Sequence, residues 1–114
     1  MTRISTHILD IVHGKPASGV AVRLEMQAAS GSWQAIASGS TDQDGRCSQL
    51  VPAEQALTSG VYRLVFDTGP YYSAREVSTL YPAIEVTFQV RDGESHFHIP
   101  LLLSPNSYTT YRGS

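Results

Sequence analysis

Two histidines lie two residues apart in an apolar run near the C-terminal end of the chain. Because side chains alternate between the faces of a β-strand, this spacing predicts that His96 and His98 project from one face and Phe97 from the other. The same alternation places His7 on one face of an N-terminal strand. A neutral imidazole can accept a proton near neutral pH, so histidines gathered on one surface suit general acid–base catalysis. If the two strands share a sheet, His7 and His98 converge on its outer face.

Two other interpretations apply to the histidines. For His13, and for His96 taken alone, a scattered surface histidine is the favoured interpretation. A His-x-His pair is also half of a zinc site, but a metal needs three or four converging ligands, and the sequence has no matching Cys or His pair. We therefore expect no metal site.

A polar segment, residues 41–46, ends in Arg46, a second candidate functional residue. Its Asp-x-Asp-Gly sequence is typical of calcium loops, yet the downstream glutamate of an EF-hand is absent, so we interpret it as a turn with Gly45 at positive φ. Arg46 follows the turn. A solvated surface arginine is the simpler interpretation, but a planar guanidinium also suits a substrate with adjacent oxygens, or charge developing on a carbonyl.

The last four residues are Tyr111, Arg112, Gly113 and Ser114. Chain ends are usually frayed, so an aromatic, charged and hydrogen-bonding end is interpreted as part of a site. No Gly-x-Ser-x-Gly motif, phosphate loop or dinucleotide fingerprint is present. Cys47 has no base beside it in the sequence and is expected to be a small packed side chain. If the protein is an enzyme, we expect water to be the nucleophile.

Composition restricts the class of protein and its partners. The chain has 114 residues, 41% of them hydrophobic and 16% charged, so we expect one folded domain over residues 1–114. The net charge of −2 and the absence of Lys/Arg runs argue against nucleic-acid and membrane-surface partners. No apolar stretch approaches the ~20 residues that span a bilayer. A single cysteine and an N-terminus without a signal-peptide pattern predict a cytoplasmic protein.

Short strands separated by Gly, Pro, Asn and Asp predict an all-β sandwich. Residues 20–27 and 84–90 alternate apolar and polar side chains, as half-buried strands do, and residues 33–37 and 62–66 are further strands. Residues 70–77 are the one predicted helix.

Two segments, residues 8–12 and 99–103, carry adjacent apolar side chains, so both faces of each strand need cover. We predict that these two strands lie in one sheet, whose outer face meets another copy of the chain. A few exposed apolar side chains are the alternative.

Three blocks of sequence carry a family resemblance. The chain resembles the transthyretin-like proteins, and within them the 5-hydroxyisourate hydrolases. The matching blocks are residues 6–10 with Gly14, 16–17 and 19–20; residues 41–42 and 45–46; and residues 98–105 with 108–114. The terminal tetrapeptide is the most specific element, because it separates the hydrolases from the hormone carriers of the same fold. Asn106 departs from the pattern, since many relatives have an aromatic residue there.

The resemblance implies a sandwich of two four-stranded sheets with one short helix, assembled as a homotetramer whose active sites lie where two dimers meet. It implies hydrolysis of the cyclic amide of 5-hydroxyisourate to 2-oxo-4-hydroxy-4-carboxy-5-ureidoimidazoline in urate catabolism, with no metal or organic cofactor. By the same resemblance the catalytic set falls on His7, Arg46 and His98. The substrate-binding set is Tyr111, Arg112, Gly113 and Ser114. A carrier of small aromatic ligands on the same fold is the alternative function.

Overall fold

A computed structural model describes residues 2–48, 50–52 and 55–114, which form two β-sheets packed face to face. The first sheet contains β1 (Arg3–Asp10), β2 (Lys15–Pro16), β5 (Arg46–Cys47), β8 (His96–Ser104) and β9 (Ser107–Thr110). The second contains β3 (Ala21–Gln27), β4 (Trp33–Ser40), β6 (Gly60–Asp67) and β7 (Ile84–Val90). The predicted all-β sandwich is confirmed.

The first sheet has five strands where four were expected. The two-residue strands β2 and β5 both pair with β1, at Leu9–Asp10 and at Thr6–His7 respectively, so they share one edge of the sheet. On its other side β1 pairs with β8, which in turn pairs with β9. The sheet is therefore four strand positions wide.

The second sheet runs in the order β4, β3, β6, β7, and each neighbouring pair is antiparallel. The predicted alternation of β3 is confirmed from Ala21 to Leu24, where Val22 and Leu24 are buried. It is wrong at Glu25, which was expected on the exposed face and is buried, because the register with β4 shifts between Leu24 and Glu25 and the carboxylate pairs with arginines. In β7 the two end residues, Ile84 and Val90, are buried against the other sheet.

Apolar side chains from both sheets fill the space between them. Ile4, Ile8 and Leu101 from the first sheet and Leu64 and Phe66 from the second are at most 2% exposed. Burying each such side chain stabilises the fold by roughly 1.5–3 kcal/mol. This core fixes β1 and β8 in position, and the alternate residues of the same strands project outward.

The two strands that are apolar on both faces lie side by side, as predicted. β1 and β8 pair in parallel from Arg3 opposite His96 to Asp10 opposite Leu103. β1 ends at Asp10, earlier than the sequence pattern indicated, because the Asp10 carboxylate accepts hydrogen bonds from the N–H groups of Val12 and His13 and forms a turn. Ile11 and Val12 are consequently exposed in this turn.

The helix, α1 (Gly69–Ser73), is shorter than the predicted 70–77. Its chain leaves the helical path at Glu76, which has a φ of 56°, and the Val77 N–H donates back to the Tyr72 carbonyl. This left-handed residue ends the helical turns before Val77. In the part of the chain that the structure describes, no helix is long and apolar enough to cross a membrane.

Candidate active site

The register of three strands brings the predicted histidines and arginine onto one surface. Ser5 of β1 lies opposite His98 of β8, and His7 lies opposite Pro100. On the other side of β1, His7 lies opposite Arg46 of β5. Directly paired residues share a face of a sheet, so Arg46, His7 and His98 all project from the outer face of the first sheet.

Arg46 is held beside β1 by the turn that precedes it. The Asp42 carboxylate accepts hydrogen bonds from the N–H groups of Asp44 and Arg46, at 2.9 and 3.0 Å. Gly45 has a φ of 75°, and its carbonyl accepts a 2.8 Å hydrogen bond from the Ile8 N–H. A Cβ at Gly45 would collide with the Ile8 carbonyl, so only glycine allows β5 to approach β1 here. The predicted turn with a positive-φ glycine is confirmed.

An open pocket of about 260 Å³ lies on this outer face. Arg46, His98 and Ser114 line it, together with Arg3, Ser5 and His96. The lining thus carries two guanidinium groups and two imidazoles, and no acidic side chain belongs to it among the described residues. Such a lining favours a ligand with several oxygen acceptors, or negative charge that develops during a reaction. His7 is not part of this lining; it lies beside Arg46 on the same face.

The His98 ring is half-buried and held at one nitrogen. Its Nδ1 lies 2.8 Å from the Ser5 hydroxyl, whereas Nε2 makes no hydrogen bond with any of the described residues. Burial lowers the pKa of His98, and the nearby His96, Arg46 and His7 lower it further. His98 is therefore neutral at neutral pH, the state in which an imidazole accepts a proton.

The last two residues, Gly113 and Ser114, approach His98 on the side of β8 that faces away from β1. The Gly113 N–H donates a 2.8 Å hydrogen bond to the His98 carbonyl, and Ser114 lines the pocket. A Cβ built at Gly113 would lie 2.6 Å from Cδ2 of the His98 ring. A larger residue at position 113 would therefore displace the imidazole.

Tyr111 and Arg112 are not brought into the pocket of a single chain. The Arg112 guanidinium donates to the Glu94 carboxylate at 2.5 Å and to the His96 carbonyl at 3.1 Å. It also stacks over Phe97, with its Cζ 4.6 Å from the ring centroid. The Tyr111 side chain is 55% exposed. The tail is thus tied to the start of β8 by Arg112, while Gly113 and Ser114 reach the site.

Cys47 is buried, as predicted, and burial raises the pKa of its thiol, with a further rise from Asp42. A thiol with a raised pKa is a poor nucleophile. Over residues 2–48, 50–52 and 55–114, no group of three or more His, Cys, Asp or Glu side chains is arranged to hold a metal ion.

Sequence reasoning missed five of the pocket residues: Arg3, Ser5, Thr6, Ser48 and, in part, His96. The alternation of side chains along β1 could have identified Ser5 and Arg3, because both lie on the same face of β1 as His7. The spacing of His96 and His98 was noticed, but the surface interpretation was preferred for His96. Its place in the pocket corrects that interpretation.

The fold and the site together define a two-sheet sandwich with a polar pocket on the outer face of one sheet. A family model of the HIUase/Transthyretin family matches residues 4–113. The chain belongs to this family.

Relatives and solved structures agree with this assignment. A 5-hydroxyisourate hydrolase of Salmonella dublin is 47% identical over 111 residues, which cover 97% of this chain and 80% of the relative. The structure of Klebsiella pneumoniae 5-hydroxyisourate hydrolase superimposes with a TM-score of 0.87 at 35% identity and full coverage of both chains. Sea bream transthyretin in complex with thyroxine gives a TM-score of 0.91 at 38% identity, covering 97% of this chain and 94% of that one.

Proposed function

We propose that this protein hydrolyses 5-hydroxyisourate to 2-oxo-4-hydroxy-4-carboxy-5-ureidoimidazoline in urate catabolism, as a single domain over residues 1–114. The observation that carries the proposal is the meeting of Arg46, His7 and His98 on one face, two of them in one pocket. The relatives named 5-hydroxyisourate hydrolase support the choice of substrate.

His98 is the proposed general base. It lines the pocket, its Nδ1 is held by Ser5, and its lowered pKa keeps it neutral. Nε2 takes a proton from water as the water oxygen bonds to the carbonyl carbon of the cyclic amide. The carbon–nitrogen bond then breaks as His98 Nε2 gives this proton to the ring nitrogen. A ureido group and a carboxylic acid result, and the acid ionises at neutral pH.

Arg46 is the proposed oxyanion donor, because it lines the same pocket as His98. Negative charge develops on the carbonyl oxygen during attack, and a fixed cationic donor stabilises that state more than the ground state. His7, beside Arg46, orients the water or relays a proton.

The terminal residues are the proposed substrate-binding group. Ser114 lines the pocket and Gly113 backs the His98 ring. Tyr111 and Arg112 would contact the flat ring only in the assembled protein or after Arg112 leaves Glu94, so their roles depend on assembly or on a movement of the tail.

We also propose a homotetramer, a dimer of dimers with the sites at the dimer–dimer interface. The outer face of the first sheet carries the partly exposed Leu9 and Leu102 as well as the pocket, and the Tyr111 side chain is exposed. Light scattering at micromolar concentration should give about four times the 12.4 kDa mass of one chain. A monomeric mass would reject this proposal.

The cytoplasm is the proposed location, on the ground that the chain has one cysteine and so has no internal disulfide. Detection of the native protein in a secreted or periplasmic fraction, with the cytoplasmic fraction empty, would contradict it.

The deciding experiment follows the ultraviolet decay of freshly generated 5-hydroxyisourate. Pure protein should accelerate the decay well beyond the spontaneous rate, and His98→Ala should lose roughly two orders of magnitude or more of that acceleration. Decay at the spontaneous rate with folded protein would refute the proposed activity.

A ligand carrier is the second candidate, favoured by the likeness to transthyretin solved with thyroxine. An apolar ligand in this pocket would desolvate Arg46 and His98 without pairing them, which argues against it. Calorimetry with thyroxine distinguishes the two functions: tight binding without turnover of 5-hydroxyisourate would favour the carrier.

A further inference from the structure

Three side chains form a continuous hydrogen-bonded row along the edge of the pocket. The Ser5 hydroxyl lies 2.8 Å from His98 Nδ1 and 3.2 Å from His96 Nε2. The row follows from the backbone, because the parallel register sets Ser5 opposite His98 and the period of two sets His96 on the same face. His96 lies at the exposed end of the row, and His98 at the half-buried end.

The number of protons available on each side chain sets which group donates and which accepts in this row. A serine hydroxyl has one proton to donate and accepts through its lone pairs, whereas a neutral imidazole has one N–H and one bare nitrogen. For His98 to act as a base at Nε2, its proton must reside on Nδ1, which then donates to Ser5. The Ser5 proton is thereby directed to Nε2 of His96.

The proposed hydrolysis also restricts where the protons of His98 can go. Water supplies two protons: one ends on the departing ring nitrogen, and the other is released because the acid product is a carboxylate at neutral pH. His98 accounts for the first if Nε2 takes it from water and gives it to the ring nitrogen. Nε2 can repeat this in each turnover only if Nδ1 keeps its own proton, the one that Ser5 accepts in a hydrogen bond.

The geometry points to Ser5 as a positioning residue that holds His98 in its Nδ1–H tautomer, with His96 accepting the Ser5 proton and so fixing the direction of the hydroxyl. Nε2 of His98 takes a proton from water and gives it to the departing ring nitrogen, while Nδ1 keeps its own proton and donates it in a hydrogen bond to Ser5 Oγ. This inference rests on the proposed function, since the tautomer serves a base at His98.

Two further features of the site support this positioning role. Gly113 fills the space against Cδ2 of the His98 ring, so the ring is held between Ser5 and the tail. The charged and titratable groups that face His98 are His96 on its own strand, His7 and Arg3 on β1, and Arg46 on β5. All are basic, and their charge opposes a proton staying on the half-buried ring.

The test compares Ser5→Ala with Ser5→Thr, which keeps the hydroxyl, and with Ser30→Ala, which removes an exposed loop serine on the opposite sheet. We expect Ser5→Ala to lower kcat about 10- to 100-fold with a smaller change in KM, the range seen when partners that orient metal-bound histidines are removed. Ser5→Thr should recover most of kcat, and Ser30→Ala should match the unmodified protein. A wild-type kcat in folded Ser5→Ala would overturn the positioning role.

The tautomer is read directly from nitrogen-15 spectra of the histidine rings in the free protein, with the His98 signals assigned by comparison with His98→Gln. We expect one Nδ1–H form of neutral His98, and a mixture of tautomers in Ser5→Ala. Identical ring spectra in the two proteins would also overturn the inference. This measurement involves no substrate, so it separates failure of the positioning role from failure of the proposed hydrolase.

The role of His96 has its own variant. His96→Phe removes the acceptor of the Ser5 proton, so the hydroxyl is free to turn and donate to Nδ1 of His98. We expect a mixture of His98 tautomers in the nitrogen-15 spectra and a lower kcat. A single Nδ1–H form of His98 in folded His96→Phe would eliminate His96 from this role.

Discussion

Arg46 and His7 are direct cross-strand partners, although they are far apart in the sequence and on strands of very different length. The pairing depends on a two-residue strand that Gly45 allows to reach β1. It sets a guanidinium beside an imidazole on the face that also carries His98. The site therefore depends on the strand pairing at the edge of the first sheet as much as on any single strand.

The guanidinium is the first group to test. Arg46→Ala should lower kcat roughly 100-fold or more, because it removes the donor to the developing oxyanion. Arg46→Lys should recover little, since an ammonium lacks the planar fork. Steady-state kinetics on 5-hydroxyisourate provide the measurement, and Arg23→Ala on the opposite sheet is the control, expected to be fully active. Full activity of Arg46→Ala would remove this arginine from the mechanism.

Gly113→Ala should damage catalysis through His98. The new Cβ would lie 2.6 Å from the ring, so the imidazole must shift, and a displacement of about 1 Å can cost on the order of 100-fold in rate. A double-mutant cycle checks the route: adding Gly113→Ala to His98→Ala should have little further effect. Additive losses would show that Gly113 acts elsewhere.

Activity should fall on the acid side through the titration of His98. Burial, followed by His96, Arg46 and His7, lowers the pKa of His98 below its ordinary value of 6.5. The neutral base therefore prevails at pH 7, and kcat/KM should be flat there and decline only below pH 6.5. His96→Gln removes one of these neighbouring charges, so its acid limb should move to higher pH. An unmoved limb would indicate that another group controls the profile.

Removal of residues 111–114 should cost activity far more than stability. The deletion removes Ser114 from the pocket and the Gly113 support of His98, so we expect kcat/KM to fall about 100-fold or more. It also removes the Arg112–Glu94 ion pair, but a solvent-exposed pair of this kind contributes little to stability. Steady-state kinetics measure the activity of the truncated protein, and thermal unfolding measures its stability. An unfolding temperature far below that of the full chain would contradict the expected order, and Ser114→Ala alone would then decide the role of the pocket residue.

Asp10 should be a determinant of stability. Its buried carboxylate accepts hydrogen bonds from the Val12 and His13 N–H groups, the His13 ring and the Tyr71 hydroxyl. Asp10→Ala should destabilise the protein by more than about 3 kcal/mol in urea unfolding, because it leaves the buried Tyr71 hydroxyl and the turn N–H groups without their acceptor, at roughly 1–3 kcal/mol for each buried donor. Tyr71→Phe should cost only about 1–3 kcal/mol, because one hydrogen bond is lost.

The pH dependence of this contribution has a definite sign. Burial alone would raise the pKa of Asp10, but the hydrogen bonds from His13 and Tyr71 together lower it below the ordinary value of 3.8. Its stabilisation is therefore complete above the unfolded-state pKa and is lost as the pH falls through the lowered native value. The stability difference between the unmodified protein and Asp10→Ala should accordingly shrink in strong acid. A difference that stays constant would contradict this account.

The sequence by itself determined the class of fold, the pairing of the two doubly apolar strands in one sheet, and the polar turn before Arg46. These features are local or periodic, so alternating side chains and turn residues record them directly. Only the tertiary structure decided what depends on register between distant strands: Arg46 beside His7, Ser5 between His96 and His98, and Gly113 against the His98 ring. It also decided that Arg112 pairs with Glu94, because a flexible side chain has several partners within reach, and the sequence does not rank them.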